Sequence, residues 1–139
     1  MEWFRMDKTV RLKTILFLML ISVILNGCFS QYKLNFDEDS IALVSCDQRV
    51  IKKVNIIDGD SYDLLYSLSL EKGERGSNKV YLEKYNEGYR TGLNNIFRLQ
   101  SNKSYIIRSV MGDSSLEMTI YTNNEGKIKS VINNFSCSD

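Results

Sequence analysis

Acidic residues form the two clusters that could support catalysis or bind a metal. The first is Asp37-Glu38-Asp39, and the second comprises Asp58, Asp60 and Asp63 in the stretch DGDSYD. Carboxylates on facing walls of a cleft can hydrolyse glycosides. A calcium loop needs a longer alternating series of oxygen ligands and a final bidentate glutamate, which this stretch lacks. Because Asp is favoured in turns and both clusters lie between strand-like segments, we interpret them as turn residues.

Histidine is absent from the chain. A serine or cysteine nucleophile needs a base within reach, and that base is usually a histidine. A zinc site needs four ligands, commonly Cys and His together, and the few cysteines here are widely separated. We therefore predict that the protein is not an enzyme and has no cofactor or metal.

The N-terminal residues have the pattern of an export signal. Residues 15–25 are apolar except for Ser22, and Arg5, Lys8, Arg11 and Lys13 precede them. A membrane-spanning helix needs about 20 apolar residues, so this run is too short to span a bilayer. A basic start, a short apolar middle and small residues at the end are typical of a secretory signal peptide. We predict that residues 1–27 are removed.

The end of this segment is Leu25-Asn26-Gly27-Cys28. It resembles the lipobox of bacterial lipoproteins, which has an apolar residue three places before a cysteine and a small residue directly before it. The resemblance implies that Cys28 is lipidated, that residues 28–31 form a short tether, and that Phe29 favours the outer membrane over the inner one. The alternative is a secreted protein cleaved nearby and not lipidated.

Once Cys28 is assigned to lipid, Cys46 and Cys137 remain. A pair of cysteines in an exported domain is interpreted as a disulfide, because compartments outside the cytoplasm are oxidising. Without the signal, the chain has 14 basic and 15 acidic residues. Neither a basic patch nor an acidic tail results, so we predict no nucleic-acid partner.

Residues 32–139 are predicted to form one all-β domain. Apolar and polar residues alternate in short segments separated by Gly, Asn, Asp and Ser, a pattern typical of an antiparallel sandwich or barrel. The predicted strands lie within residues 32–36, 42–46, 50–57, 62–70, 79–85, 96–100, 104–111, 116–122 and 128–132. Residues 85–95, YNEGYRTGLNN, are the least regular and are predicted to form a loop or one helical turn.

A spacing of six residues separates Leu99 from Tyr105. It resembles the tyrosine corner of immunoglobulin-like and fibronectin type III sandwiches, in which a Tyr hydroxyl bonds to backbone a few residues upstream. The resemblance implies that Leu99 ends one strand, residues 101–103 turn, and Tyr105 opens the next strand. It implies a small antiparallel sandwich of that type, in addition to the disulfide predicted from the two cysteines. The alternative is a tyrosine that only packs beside a hairpin.

Tyrosines and arginines cluster in and around the irregular segment. Both residue types are enriched at protein interfaces, because they combine a large contact area with polar groups. The predicted partner-binding residues are Arg75, Tyr81, Tyr85, Tyr89 and Arg90. The competing interpretation places individual tyrosines such as Tyr81 or Tyr85 in the core. Alternation about Leu82 puts Tyr81, Glu83 and Tyr85 on one face, and the glutamate favours solvent there.

The lipobox, the short β-domain, the paired cysteines and the Leu99-x5-Tyr105 stretch together resemble immunity lipoproteins of type VI secretion systems. This resemblance implies a protein anchored through lipid on Cys28, facing the periplasm, that binds and neutralises a toxin. Membrane-bound lysozyme inhibitors are an alternative, although their Ser-Gly-x-x-Tyr loop is absent and RGSNKVY is the nearest stretch. A structural lipoprotein subunit of an envelope assembly is a third possibility.

Overall fold

Residues 13–19, 32–93 and 96–137 are described in the computed structural model of the protein. The chain divides into two units, residues 1–31 and 32–139, and the second starts at the same residue as the predicted β-domain. In the first unit, residues 13–19 are helical. No helix in the described ranges is long and apolar enough to cross a membrane. The predicted lipidation site, Cys28, and the tether 28–31 lie outside the described residues.

The second unit is built from two antiparallel sheets. Its strands are β1 (Leu34–Asp37), β2 (Ala42–Ser45), β3 (Ile51–Asp58), β4 (Leu64–Leu70), β5 (Lys79–Tyr81), β6 (Tyr89–Thr91), β7 (Ser104–Met111), β8 (Ser114–Thr122) and β9 (Ile128–Ile132). The small sheet has the order β1-β2-β5, and the large sheet has the order β6-β4-β3-β7-β8-β9. This confirms the predicted all-β antiparallel sandwich. Its immunoglobulin or fibronectin type III subtype stays a prediction.

The core lies between the two sheets and follows from the period-two pattern of the strands. Successive side chains of a strand point to opposite faces, so each amphipathic strand contributes alternate residues to the core. The small sheet contributes Leu34, Phe36, Leu43 and Val80, and the large sheet contributes Val54, Ile56, Tyr66, Leu68, Tyr105, Ile107, Met111, Met118 and Ile120. Burial of such side chains is worth about 1.5–3 kcal/mol each, which makes this shared core the main source of stability.

Strand β3 departs from simple alternation at its start. The sequence pattern places Val50 on the core face with Val54 and Ile56, but Ile51 is the buried residue and Val50 precedes the strand. The pairing of β3 with β7 shifts register between Ile51 and Lys53. An extra residue in one strand re-aims the side chains before it. Ile51 and Val54 therefore both face the core, although three positions separate them.

The predicted disulfide between Cys46 and Cys137 is confirmed, with Cα atoms 4.9 Å apart. It closes a loop of 91 residues, which should stabilise the fold by about 4 kcal/mol in the chain-entropy picture. The C-terminal segment also bonds to the free edge of β1. The N–H of Phe36 donates to Asn134 Oδ1 at 2.7 Å, and the N–H of Phe135 donates to the Leu34 carbonyl at 3.2 Å.

One predicted strand, at residues 96–100, is wrong, and the predicted strand 62–70 begins later than expected, at Leu64. Residues 96–100 form no strand, so Leu99 does not end one as the tyrosine-corner pattern implies. Tyr62 belongs to a turn rather than to β4, with a left-handed φ of 61° and a 73% exposed side chain. The structure also adds a strand, β6, within the segment predicted to be irregular. Short elements of this kind are decided by long-range pairing, which local alternation does not report.

Tyr105 lies at the start of β7 and is buried, with 2% of its surface exposed. Its hydroxyl accepts a hydrogen bond from the N–H of Gln100 at 2.8 Å, five residues upstream. The ring packs edge-on against Phe97, with centroids 5.3 Å apart. The segment 96–100 is thus fixed to the large sheet through a side chain and not through strand pairing. The bond from the hydroxyl to upstream backbone has the form that the sequence spacing predicts.

Replacing Tyr105 with Phe should lower the free energy of unfolding by about 1–2 kcal/mol, because the Gln100 N–H loses its partner. Urea unfolding followed by circular dichroism would measure the change. Tyr121→Phe is the matched control, since its hydroxyl makes no hydrogen bond with the described residues. Equal unfolding midpoints for Tyr105→Phe and wild type would show that the hydroxyl contributes nothing and that Tyr105 only packs.

Candidate binding site

The segment from the end of β4 to β6 borders an open groove of about 580 Å³, here called the first groove. Its lining residues are Gly73, Glu74, Arg75, Gly76, Ser77, Lys79, Tyr81, Tyr85, Asn86, Glu87 and Tyr89. Four of the five predicted partner-binding residues are among them. They come from two short strands and the loops beside them, so the fold brings together residues from both sheets.

Tyr89 has a structural role that the sequence did not reveal. Only 6% of its surface is exposed, and its hydroxyl donates to the Ile51 carbonyl at 2.7 Å and accepts from the Ser77 N–H at 2.9 Å. Burial raises the pKa of Tyr89, so the hydroxyl stays protonated at neutral pH. Tyr89 therefore forms the floor of the groove and offers a partner little contact area.

Tyr85 is the opposite case, with 83% of its surface exposed. The loop that carries it is held by Asn86, which is buried. The Asn86 side chain accepts from the Tyr81 N–H at 2.8 Å and donates to the Tyr81 carbonyl at 2.8 Å and to the Lys84 carbonyl at 3.1 Å. One amide thus fixes both ends of the turn, and the Tyr85 ring is presented to solvent from a rigid base.

Two lysine ammonium groups lie close to the Tyr81 ring. The ammonium groups of Lys79 and Lys84 each lie 5.4 Å from the ring centroid, within the range of a cation–π interaction. Tyr81 is half-buried, and the sequence prediction that its face is open to solvent agrees with this position. The groove therefore combines an exposed aromatic ring at Tyr85 with cations around Tyr81.

Lys79 is also tied to the small sheet. Its ammonium lies 2.8 Å from Asp37 Oδ2, and the Ser40 hydroxyl donates to the same carboxylate at 2.5 Å. The bond from Lys79, followed by those from Ser40, lowers the pKa of Asp37 to about 2. In turn, the Asp37 carboxylate raises the pKa of Lys79. The Lys79 side chain that borders the groove is thereby held in place by a charge-assisted bond.

A second groove, of about 420 Å³, is also bordered by the 82–86 loop. It is lined by Tyr66, Leu68, Leu82, Glu83, Lys84, Tyr85, Asn86, Tyr89, Thr91, Ile96 and Arg98. Three of these residues, Tyr85, Asn86 and Tyr89, line the first groove as well. The two grooves therefore share a wall, with the exposed Tyr85 ring between them.

Arg90 is the predicted residue that the fold does not bring to this site. It alternates with buried Tyr89 along β6 and is exposed. Arg90 lines a separate depression together with Ser69, Leu70, Glu71 and Lys72. None of these residues lines the first or the second groove. Because side chains alternate between the faces of a strand, Arg90 and Tyr89 cannot both face one ligand.

Comparisons of the chain with protein-family models, curated proteins and solved structures found no match. Function therefore has to be inferred from the residues of the site. Sequence reasoning missed Asn86, Lys79 and Asp37 as residues that shape it. The Asn86-Glu87-Gly88 stretch has turn composition, which could have indicated Asn86, but no local signal pairs Lys79 with an aspartate 42 positions away.

Asp58 of the second acidic cluster holds its own turn and also pairs with a distant lysine. Asp58 Oδ1 accepts from the N–H of Asp60 at 2.8 Å and of Ser61 at 3.0 Å. The bonds from Ser61 and Asp60 lower the pKa of Asp58, and Lys103 lies 3.5 Å from its other oxygen. Within the described ranges, no group of three or more His, Cys, Asp or Glu side chains could hold a metal ion.

The ion pair of Asp37 should make stability depend on acid pH. Because the pKa of Asp37 is lowered to about 2 in the folded state, its contribution is complete above the unfolded pKa of about 4. It is lost as pH falls toward 2. The difference in unfolding free energy between wild type and Asp37→Asn should therefore shrink over this interval, as measured by urea titrations at several pH values.

Asp113→Asn provides the control, since it removes an exposed carboxylate that forms no ion pair with a described residue. A difference between wild type and Asp37→Asn that stays constant from neutral pH to pH of about 2 would contradict the assignment, because linkage requires it to change with ionisation.

Proposed function

We propose that the protein is a lipid-anchored envelope protein that binds a protein partner at the first groove and neutralises it as a toxin. The observation that carries this proposal is that an exposed tyrosine, Tyr85, and an exposed arginine, Arg75, line the same groove. Tyr and Arg residues supply much of the binding energy at protein interfaces. This function agrees with the resemblance to type VI secretion immunity lipoproteins drawn from the sequence.

Exposure and charge both support a partner at this rim. Tyr85 leaves most of its ring in water, so covering it would remove apolar surface from solvent. Arg75 is exposed and makes no ion pair or hydrogen bond with a described residue, so its guanidinium is available for a carboxylate of the partner. We expect that partner to place an acidic residue next to an apolar or aromatic one.

The groove is also held rigidly before any partner binds. Asn86 fixes the loop beneath Tyr85, Tyr89 fixes the floor, and Asp37 holds Lys79. A surface that does not have to be ordered on binding loses less entropy on association. A neutralising protein must compete with the target's own ligand, and pre-organisation of this kind supports tight binding.

Anchoring follows from the predicted lipid on Cys28. The four residues of the predicted tether, 28–31, span at most about 14 Å when extended. Several acyl chains give stable attachment, whereas one gives marginal attachment. The domain would then stay within a few nanometres of the membrane surface, and it would meet a toxin that acts in the periplasm or enters through it.

The experiment is capture of the partner from envelope extracts with tagged full-length protein. Arg75→Ala combined with Tyr85→Ala should weaken capture about 1,000-fold, since each anchor of an interface is worth about 2 kcal/mol or more and two such losses sum to about 4 kcal/mol. Arg90→Ala is the matched control, because this exposed arginine lies outside both grooves, and it should capture as well as wild type. The captured protein should be toxic in the periplasm of a strain that lacks the gene.

Two results would overturn the proposal. Capture by the double variant equal to wild type would show that this face does not bind the partner. A deletion strain that resists the captured protein, expressed in its periplasm, would show that neutralisation is not the function. Unfolding midpoints of the variants, measured in parallel, exclude loss of fold as the cause of weak capture.

Lipidation has its own test. Cells fed labelled palmitate should incorporate label into wild type, and the Cys28→Ala variant should incorporate none, because the lipobox resemblance makes this thiol the acceptor. The same variant should leave the membrane fraction or remain unprocessed. Cys46→Ala is the control for loss of a cysteine elsewhere. Equal labelling of wild type and Cys28→Ala would exclude lipidation at this residue.

A further inference from the structure

The second groove reaches the core of the domain. Tyr66 and Leu68 of β4 and Leu82 of the following loop line it, and each of the three is at most 2% exposed. Ile96 lies at its border and is largely exposed. A volume of about 420 Å³ falls within the range of about 300–1,000 Å³ that small-molecule sites occupy. The groove therefore has the depth and apolar walls of a ligand site.

The floor of this groove holds a polar group without a partner. The Tyr66 hydroxyl makes no hydrogen bond with any described residue, and its ring packs against Phe97 with centroids 5.9 Å apart. The hydroxyls of the other two buried tyrosines, Tyr89 and Tyr105, are both bonded to backbone. Among the described residues, the fully buried side-chain oxygen or nitrogen without a partner is Ser109 Oγ and not the Tyr66 hydroxyl. Because Tyr66 lines the groove, its hydroxyl is open to a hydrogen bond from a ligand atom there.

Burial also fixes the chemical form of that hydroxyl. The pKa of Tyr66 is raised by desolvation, so the group is protonated at neutral pH and can donate as well as accept a hydrogen bond. A hydroxyl, phenol or carbonyl oxygen on the ligand could pair with it. Such a pairing would satisfy a group that the fold itself leaves unpaired.

The mouth of the groove is positively charged. Lys84 and Arg98 both border it, and neither forms an ion pair with a described residue. The carboxylate in this lining, Glu83, accepts a hydrogen bond from the N–H of Leu99 at 2.7 Å. A ligand that places an anionic group at the mouth would therefore meet two cations, one of which, Arg98, can bind a carboxylate with two parallel hydrogen bonds.

We infer that the second groove binds a small amphipathic carboxylate. Its apolar body lies against Leu68, Leu82 and Ile96, its carboxylate faces Arg98, and a polar atom at its other end pairs with the Tyr66 hydroxyl. This site is distinct from the protein-binding function proposed for the first groove and does not depend on it. A compact aromatic acid with a hydroxyl opposite its carboxylate has the required groups.

The probe for the test is para-hydroxyphenylpropionate, titrated into the full chain in phosphatidylcholine nanodiscs and followed by calorimetry, with empty nanodiscs as the blank. Two analogues separate the contacts: phenylpropionate lacks the distal hydroxyl, and para-hydroxyphenylpropionamide lacks the charge. We expect the hydroxy acid to bind most tightly. Phenylpropionate and the amide should each bind more weakly, because each lacks one of the two polar contacts. Binding of the acid should weaken as salt is added, because the cations are exposed.

Two variants assign the contacts. Tyr66→Phe should lower the affinity for the hydroxy acid about 3–10-fold, as loss of one neutral hydrogen bond predicts. The affinity for phenylpropionate should not change. Arg98→Gln should lower the affinity for both acids about 10-fold or more and leave the affinity for the amide unchanged. Arg90→Gln, which removes an equal charge outside the groove, is the control and should bind like wild type. Tyr66→Phe removes only an unpaired hydroxyl, so the fold should be retained.

The inference is overturned if wild type shows no heat of binding with the hydroxy acid at about 10 mM, which corresponds to an affinity too weak for a specific site. It is also overturned if acid and amide bind equally, or if Arg98→Gln and Arg90→Gln have the same effect. A loss of partner capture with normal binding of the acid would concern the first groove alone, so the two proposals can fail separately.

Discussion

The hydroxyl of Tyr89 joins β3 of the large sheet to the segment that leads into β5 of the small sheet. Ile51 of β3 donates its N–H to the Ser77 carbonyl at 2.9 Å, and the hydroxyl bridges the Ile51 carbonyl to the Ser77 N–H. One phenol thus replaces the second hydrogen bond of an antiparallel pair, at the place where the chain leaves the large sheet for β5. Without it, two backbone groups at the groove floor would lose their partner, and burial of such groups unpaired is costly.

Polar side chains around this junction divide into two kinds. Asn86, Asp37 and Tyr89 bond to backbone or to a fixed partner and shape the grooves. Arg75 and Tyr85, in contrast, have side chains that are exposed to solvent. Interfaces commonly have this division, because a few anchors supply most of the energy and the residues beneath them hold the geometry. These side chains come from residues 75–89 and from Asp37 of β1, while Ile51 of β3 supplies the backbone carbonyl to which Tyr89 donates.

The parts of the structure that the sequence predicts are those governed by local pattern. The long alternating segments became β3, β4, β7 and β8, and two cysteines in a predicted exported domain became a disulfide. Tyr105 bonds to upstream backbone as its spacing predicts. Long-range pairing decides the rest. The local sequence around Tyr89 does not indicate that this residue is buried. The local sequence of residues 96–100 does not indicate that a side chain holds this segment in place of a strand partner.

The position of the C-terminal segment determines when the edge of β1 becomes covered during synthesis. Residues 134–137 cover the outer edge of β1, and an uncovered strand edge is an open template for pairing with other chains. The first strand of the domain is therefore protected by a segment much later in the chain, since Asn134 lies 98 positions after Phe36. Until that segment has been synthesised, β1 pairs on one side only, with β2, and the nascent domain depends on its surroundings to prevent association.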